Sequence, residues 1–186
     1  MQRRELIKII AVLTGSSVIG ADLFLAGCKN KTDNNFFSEN DIVFLDEVAE
    51  TIIPKTNTPG AKDAATGNFI ALYTTDCYDD VNRNILKEGI TTLNEAAIKK
   101  YDAGFIKISV SQKQEMLTLL DNEAKKYINT NIDKEKVPHY FTLMKQLTLL
   151  GFFTSKPGAS QVLRYIPVPG KYEGCIDYKK GETSWA

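Results

Sequence analysis

The chain has 186 residues, with 23 Lys and Arg against 23 Asp and Glu, one His, three Cys and one Trp. That length suits one domain with a sizeable core. Charge balance of this kind gives no electrostatic footprint for nucleic acid and no polybasic patch for an anionic membrane.

In chain order, the first expected element is an export signal. "MQRRELIK" sets Arg3, Arg4 and Lys8 against a single Glu5, and "IIAVLTGSSVIGA" follows as an apolar run, short for a hydrocarbon core of ~30 Å. Leu25-Ala26-Gly27-Cys28 resembles a bacterial lipobox, in which small residues admit the signal peptidase to the bond before cysteine. On this reading residues 1–27 are the signal, Cys28 carries the lipid, and 28–35 with its polar "KNKTDNN" is a flexible tether. The pair Arg3-Arg4 also looks like a twin-arginine signal, from which Gln2 and Leu6 depart. The alternative is an uncleaved anchor over 9–26, with Asp22 inside it at a cost. Three cysteines leave one without an internal partner, and a lipid on Cys28 accounts for it.

The remainder, 36–186, reads as helical. Ser38 and Asp41 have capping-box spacing before Ile42, Leu45, Val48, Ala49 and Ile52, and Pro54 stops that helix. "PKTNTPGAKDAATG" reads as loop and "NFIALYTTDCY" as helix. "DDVNRNILKEGITTLNEAAIKKY" predicts a helix with Val81, Ile85, Leu93 and Ala97 on one side. Ser111 and Gln114 offer a second capping box ahead of Met116, Leu119, Leu120 and Tyr127. Pro138 suits the first turn of a helix through "HYFTLMKQLTLLGFF", apolar nearly all round and so expected at the centre. No stretch sustains period-two alternation. The expected class is all-α, a compact helical domain with an extended, irregular C-terminal tail.

That tail begins after "LLGFFTSKPGASQVLRY", where Pro167, Pro169, Gly170 and Gly174 forbid a regular helix. Tyr165, Ile166, Val168, Tyr172 and Trp185 carry too much apolar surface to leave in water. Either the protein's own helices cover them, the usual fate of scattered aromatics, or another protein does. Arg164, Tyr165, Pro167, Pro169, Gly170 and Tyr172 combine a charged fork, flat aromatic area and a stiff backbone, and form the candidate partner surface.

A catalytic site is hard to build from this inventory. His139, the only histidine, stands at a helix start, where a capping or packing role is the ordinary one. There is no Cys-x-x-Cys-His, no cysteine cluster for zinc or iron–sulfur, and no glycine-rich phosphate cradle. Asp46, Glu47 and Glu50, like Asp76, Asp79 and Asp80, read as solvated helix faces and caps. No catalytic, cofactor-binding or metal-ligating residue is assigned in this chain.

Several stretches carry a resemblance. "FLDEVAETIIPKTNTPGAKDAATGNFI" (Phe44–Ile70), "TDCYDD" (Thr75–Asp80), "FTLMKQLTLLGFFTSKPGASQVLRYIPVPGKYEGC" (Phe141–Cys175) and the ending "SWA" together resemble the gluconate 2-dehydrogenase subunit 3 family. The resemblance implies a small, cofactor-free subunit of a membrane-associated sugar or sugar-acid dehydrogenase. In such complexes a large flavoprotein of the glucose–methanol–choline type holds FAD, and a cytochrome c subunit often takes the electrons onward. The small subunit bears the twin-arginine signal and escorts the folded flavoprotein across the membrane. A lipid on Cys28 would add an anchor, placing the chain in the bacterial envelope, facing the periplasm or the cell surface. The competing readings are a stand-alone envelope lipoprotein that binds a sugar or a protein, exported by the Sec route, and an enzyme in its own right. With Cys28 acylated, Cys77 and Cys175 remain as an even pair, both in the resembling segments. They are expected either to bridge the tail to a helix end or to stay reduced.

Overall fold

The computed structural model describes residues 36–130, 137–168, 170–171, 174–177 and 179–185. The expected signal and tether, with Arg3, Arg4 and Cys28, lie outside the described residues, and so do Pro169 and Tyr172. Five α-helices follow in order: α1 Glu39–Ile52, α2 Thr66–Cys77, α3 Asp80–Tyr101, α4 Val110–Thr130 and α5 Tyr140–Thr154. A 3-10 turn at Lys62–Ala64 precedes α2, and a π-turn at Gly158–Val162 follows α5. Among the described residues there is no strand, only a single parallel β-bridge between Arg164 and Trp185. The class is all-α.

Each helix starts for a local reason. Ser38 caps α1 as expected: its hydroxyl accepts the Asp41 N–H, and the Asp41 carboxylate accepts the Ser38 N–H at 2.7 Å. Asp79 caps α3 by accepting the Asn82 N–H at 2.9 Å. The second capping box lies two residues before the expected Ser111–Gln114 pair. Ser109 and Gln112 form it, with Gln112 Oε1 accepting the Ser109 N–H at 2.9 Å. Buried Ile108 pins the chain there, so helix α4 opens at Val110. Pro138 stands just outside α5. His139 is the cap itself, its Nδ1 accepting the Phe141 N–H at 3.2 Å.

Helix α5 is central, packed on by α1, α2, α3 and α4. It buries Phe141, Leu143, Met144, Leu147, Thr148, Gly151 and Phe152. Helix α3 turns Leu86, Ile90, Leu93 and Ala97 inward, whereas Val81, expected on that face, is 55% exposed in the first turn. Helices α1 and α2 pack closely at Gly67, where an added Cβ would lie 2.6 Å from the Ile42 carbonyl oxygen and 2.7 Å from the Asp46 nitrogen.

The carboxylates of α1 are not a solvated face. Glu50 accepts the backbone N–H groups of Lys55 and Lys62, both at 2.9 Å. Asp46 accepts the Gly67 N–H at 2.6 Å, and Glu47 takes the Lys113 ammonium of α4 at 2.7 Å as well as Lys62. Together they tie down the connection from Ile53 to Ala65 and the start of α2, with Glu50 supplying acceptors for the N–H groups of Lys55 and Lys62. Lys113 itself is only 5% exposed.

Candidate functional site

Helix α5 ends at Ser155, and the π-turn brings Leu163 into an extended conformation. The tail starts there and returns. At its far end Glu182 donates its N–H to the Lys179 carbonyl at 3.2 Å, around Gly181 with φ +92°, a conformation that favours glycine. The two ends then meet. The Arg164 N–H donates to the Ser184 carbonyl at 2.8 Å, and the Arg164 guanidinium lies 4.7 Å from the centre of the Trp185 ring. Its Nη2 stands 3.4 Å from Glu182 Oε2, and Lys179 Nζ approaches the other oxygen of that carboxylate at 3.9 Å.

Among the described residues of the tail, the large apolar side chains are not covered by the helices. Val168 is 82% exposed, Tyr165 58% and Trp185 50%, and Ile166 and Ile176 are exposed too. For Tyr165, Ile166, Val168 and Trp185 the expected covering by the protein's own core is corrected, while Tyr172 lies outside the described residues. The contacts of Arg164 lie within the tail, with Ser184, Trp185 and Glu182. A second apolar surface lies nearby in sequence. Leu149, Leu150 and Phe153 on α5 are all exposed, sharing the side of the helix away from Gly151. Four neighbouring helices cannot cover a helix that is apolar nearly all round.

Of the six residues named as a partner surface, Tyr165, Pro167 and Gly170 are exposed, Pro169 and Tyr172 lie outside the described residues, and Arg164 is engaged within the tail. Sequence reasoning missed Ile176 and Glu182, and gave Trp185 no partner. It also missed the outer face of α5, although the all-round apolar pattern was the signal for it.

The remaining polar groups are engaged as caps and ring contacts where the structure describes them. His139 spends Nδ1 on the α5 cap, stacks on Tyr140 at 4.6 Å and has Glu123 4.0 Å from Nε2. Burial pulls the His139 pKa down, with Glu123 opposing, and burial pushes the Tyr140 hydroxyl up to about 12. Both line a shallow cleft of about 230 Å³ with Tyr127, Glu88 and Thr92. Among the described residues no three His, Cys, Asp or Glu side chains gather as a metal site. Cys77 and Cys175 are free and exposed, so the expected bridge is absent. Cys77 ends α2, while the segment bearing Cys175 is closed on itself through Arg164 and Trp185.

No curated protein and no solved structure gives a significant match to the chain. The profile described as gluconate 2-dehydrogenase subunit 3 matches residues 39–170, a span that runs from the first turn of α1 through α5 into the tail. The chain therefore belongs to the gluconate 2-dehydrogenase subunit 3 family, whose name marks it as an accessory subunit of a multisubunit dehydrogenase.

Proposed function

We propose that this chain is a non-catalytic small subunit that escorts, anchors and stabilises an exported, FAD-dependent sugar or sugar-acid dehydrogenase of the glucose–methanol–choline type. One observation carries the reading. The chain exposes Tyr165, Ile166, Val168, Ile176 and Trp185 on a tail stiffened by proline, and Leu149, Leu150 and Phe153 on its central helix. Apolar area of this kind is what a partner subunit covers. FAD belongs to that partner, and a cytochrome c subunit is a further member of the complex. Arg3 and Arg4 address the pair for export, and Cys28 holds it at the envelope. Two or three acyl chains anchor stably, since each buried CH₂ contributes about 0.8 kcal/mol and one chain alone is marginal.

Co-purification tests the partnership. Detergent extracts should yield this chain with a yellow, FAD-bearing protein, and recovery only as a colourless monomer would favour a stand-alone lipoprotein instead. Mass spectrometry tests the anchor. The mature protein should begin at an acylated Cys28, and Cys28→Ser should accumulate as an unprocessed precursor. An intact signal or an unmodified Cys28 on mature wild-type protein defeats that part.

A further inference from the structure

The tail contains one residue bonded three ways. Arg164 uses its backbone N–H on Ser184, its guanidinium face on Trp185 and its Nη2 on Glu182. Nothing in the helical core requires these contacts, because Tyr165, Val168 and Trp185 stay exposed. What they do is close the chain between Arg164 and Trp185 into a loop. An open segment of that length would lose conformational freedom residue by residue on meeting a partner. A loop closed beforehand has already lost much of it.

We propose that Arg164 is a positioning residue: it clasps Trp185 and Glu182 so that the tail loop meets its partner in a preformed shape. Arg164 thus acts through the loop and not by touching the partner. This rests on the reading of the tail as the surface that binds the flavoprotein. The clasp suits arginine, whose flat fork can lie on an indole and reach a carboxylate at once, as a lysine ammonium cannot. Lys179 shares the Glu182 carboxylate and keeps that acid in place. The Arg164–Glu182 pair is about a third exposed and screened by salt, and the contact with the Trp185 ring adds to it.

Trp185 is the single tryptophan of the chain, so intrinsic fluorescence reports the clasp directly. The experiment uses the full-length protein, free and titrated with its purified flavoprotein. Arg164→Ala should raise acrylamide quenching of the free chain, leave helical circular dichroism unchanged and weaken flavoprotein binding by about 3- to 5-fold, the scale of an exposed cation–π contact. Trp185→Ala should weaken binding at least as much, since it removes the clasp and a ring the partner covers, and Trp185→Phe, which keeps a ring under the guanidinium, should restore most of it. Arg164→Ala combined with Trp185→Ala should be no worse than Trp185→Ala alone, because the clasp is already lost. Equal quenching in wild type and Arg164→Ala overturns the clasp. Altered quenching with unchanged affinity, or additive losses in the double variant, overturns the positioning role. A wild-type chain that binds no flavoprotein overturns the subunit reading and the positioning role together, while the quenching still judges the clasp.

Discussion

Asp46 and Glu47 are neighbours on α1, yet they answer a proton in opposite senses. Burial pushes the Glu47 carboxyl up, but hydrogen bonds from Lys113 and Lys62, with their charges, win and hold it below its ordinary range. Its stabilising contribution is full above the unfolded glutamate pKa of about 4.3 and is lost as pH falls through the lower folded value. For Asp46, burial dominates and raises the pKa, with Glu47 and Glu50 adding to the rise against the Gly67 N–H and Lys62. Ionised Asp46 therefore costs stability above its folded pKa, and acid relieves that cost. Glu47→Gln should lower stability at pH 7 by about 1.5–3 kcal/mol, the range for a hydrogen bond to a charged group. Asp46→Asn should leave stability at pH 7 equal or higher, since an amide oxygen still accepts from Gly67. Urea midpoints at pH 7 and pH 4 check both, and a large loss in Asp46→Asn would reverse the argument. His139 supplies a third case. Burial lowers its pKa, so its contribution is full above the unfolded value of about 6.5 and is lost as pH falls through the folded one. A protonated Nδ1 cannot accept the Phe141 N–H, and its charge opposes the α5 dipole. His139→Asn should keep the cap and flatten the urea midpoint between pH 7 and pH 5.

Among the elements, type and order were legible in the sequence because apolar residues recur at helical spacing and prolines and caps mark the ends. Two details were not. Ser109–Gln112 and Ser111–Gln114 match the capping pattern equally well, and only the burial of Ile108 chooses between them. The roles of Asp46, Glu47 and Glu50 depend on a connection that returns to α1 after many residues, which local pattern cannot show. Helix contact at Gly67 is likewise a tertiary fact. There Gly67→Ala sets a helix-propensity gain of up to about 1 kcal/mol against a methyl driven into the backbone of α1. The backbone cannot yield as a side-chain end can, so the clash wins. A net loss of about 1–3 kcal/mol is expected, the usual cost of overpacking. Thermal denaturation of the variant reads it, and an unchanged or higher Tm would show that α1 and α2 can separate freely.

For the whole molecule, the sequence supplied two fates for the tail, and the structure chose the exposed one. Composition could not choose, because a tail covered by its own core and a tail covered by a partner need the same residues. Nor could it show Arg164 closing the loop locally, a pairing across the tail that has no sequence period. The connection from Ile53 to Ala65 shows the converse, an irregular stretch held hard to the core. Its grip has a consequence for survival among proteases. A protease must draw several residues into an extended strand before it can cut, which favours segments that open locally. Lys55 and Lys62 offer trypsin two surface sites, but Glu50 holds both of their N–H groups, and Asp63 holds the Gly60 N–H at 3.0 Å. In limited digestion, Lys171, Lys179 and Lys180 of the tail should be cut first, with Lys55 and Lys62 spared. Glu50→Ala should reverse that order, and early cleavage at Lys55 in the wild type would mean that the carboxylate does not guard the loop. A single glutamate would thus separate the part of this subunit that can be trimmed away from the part that persists.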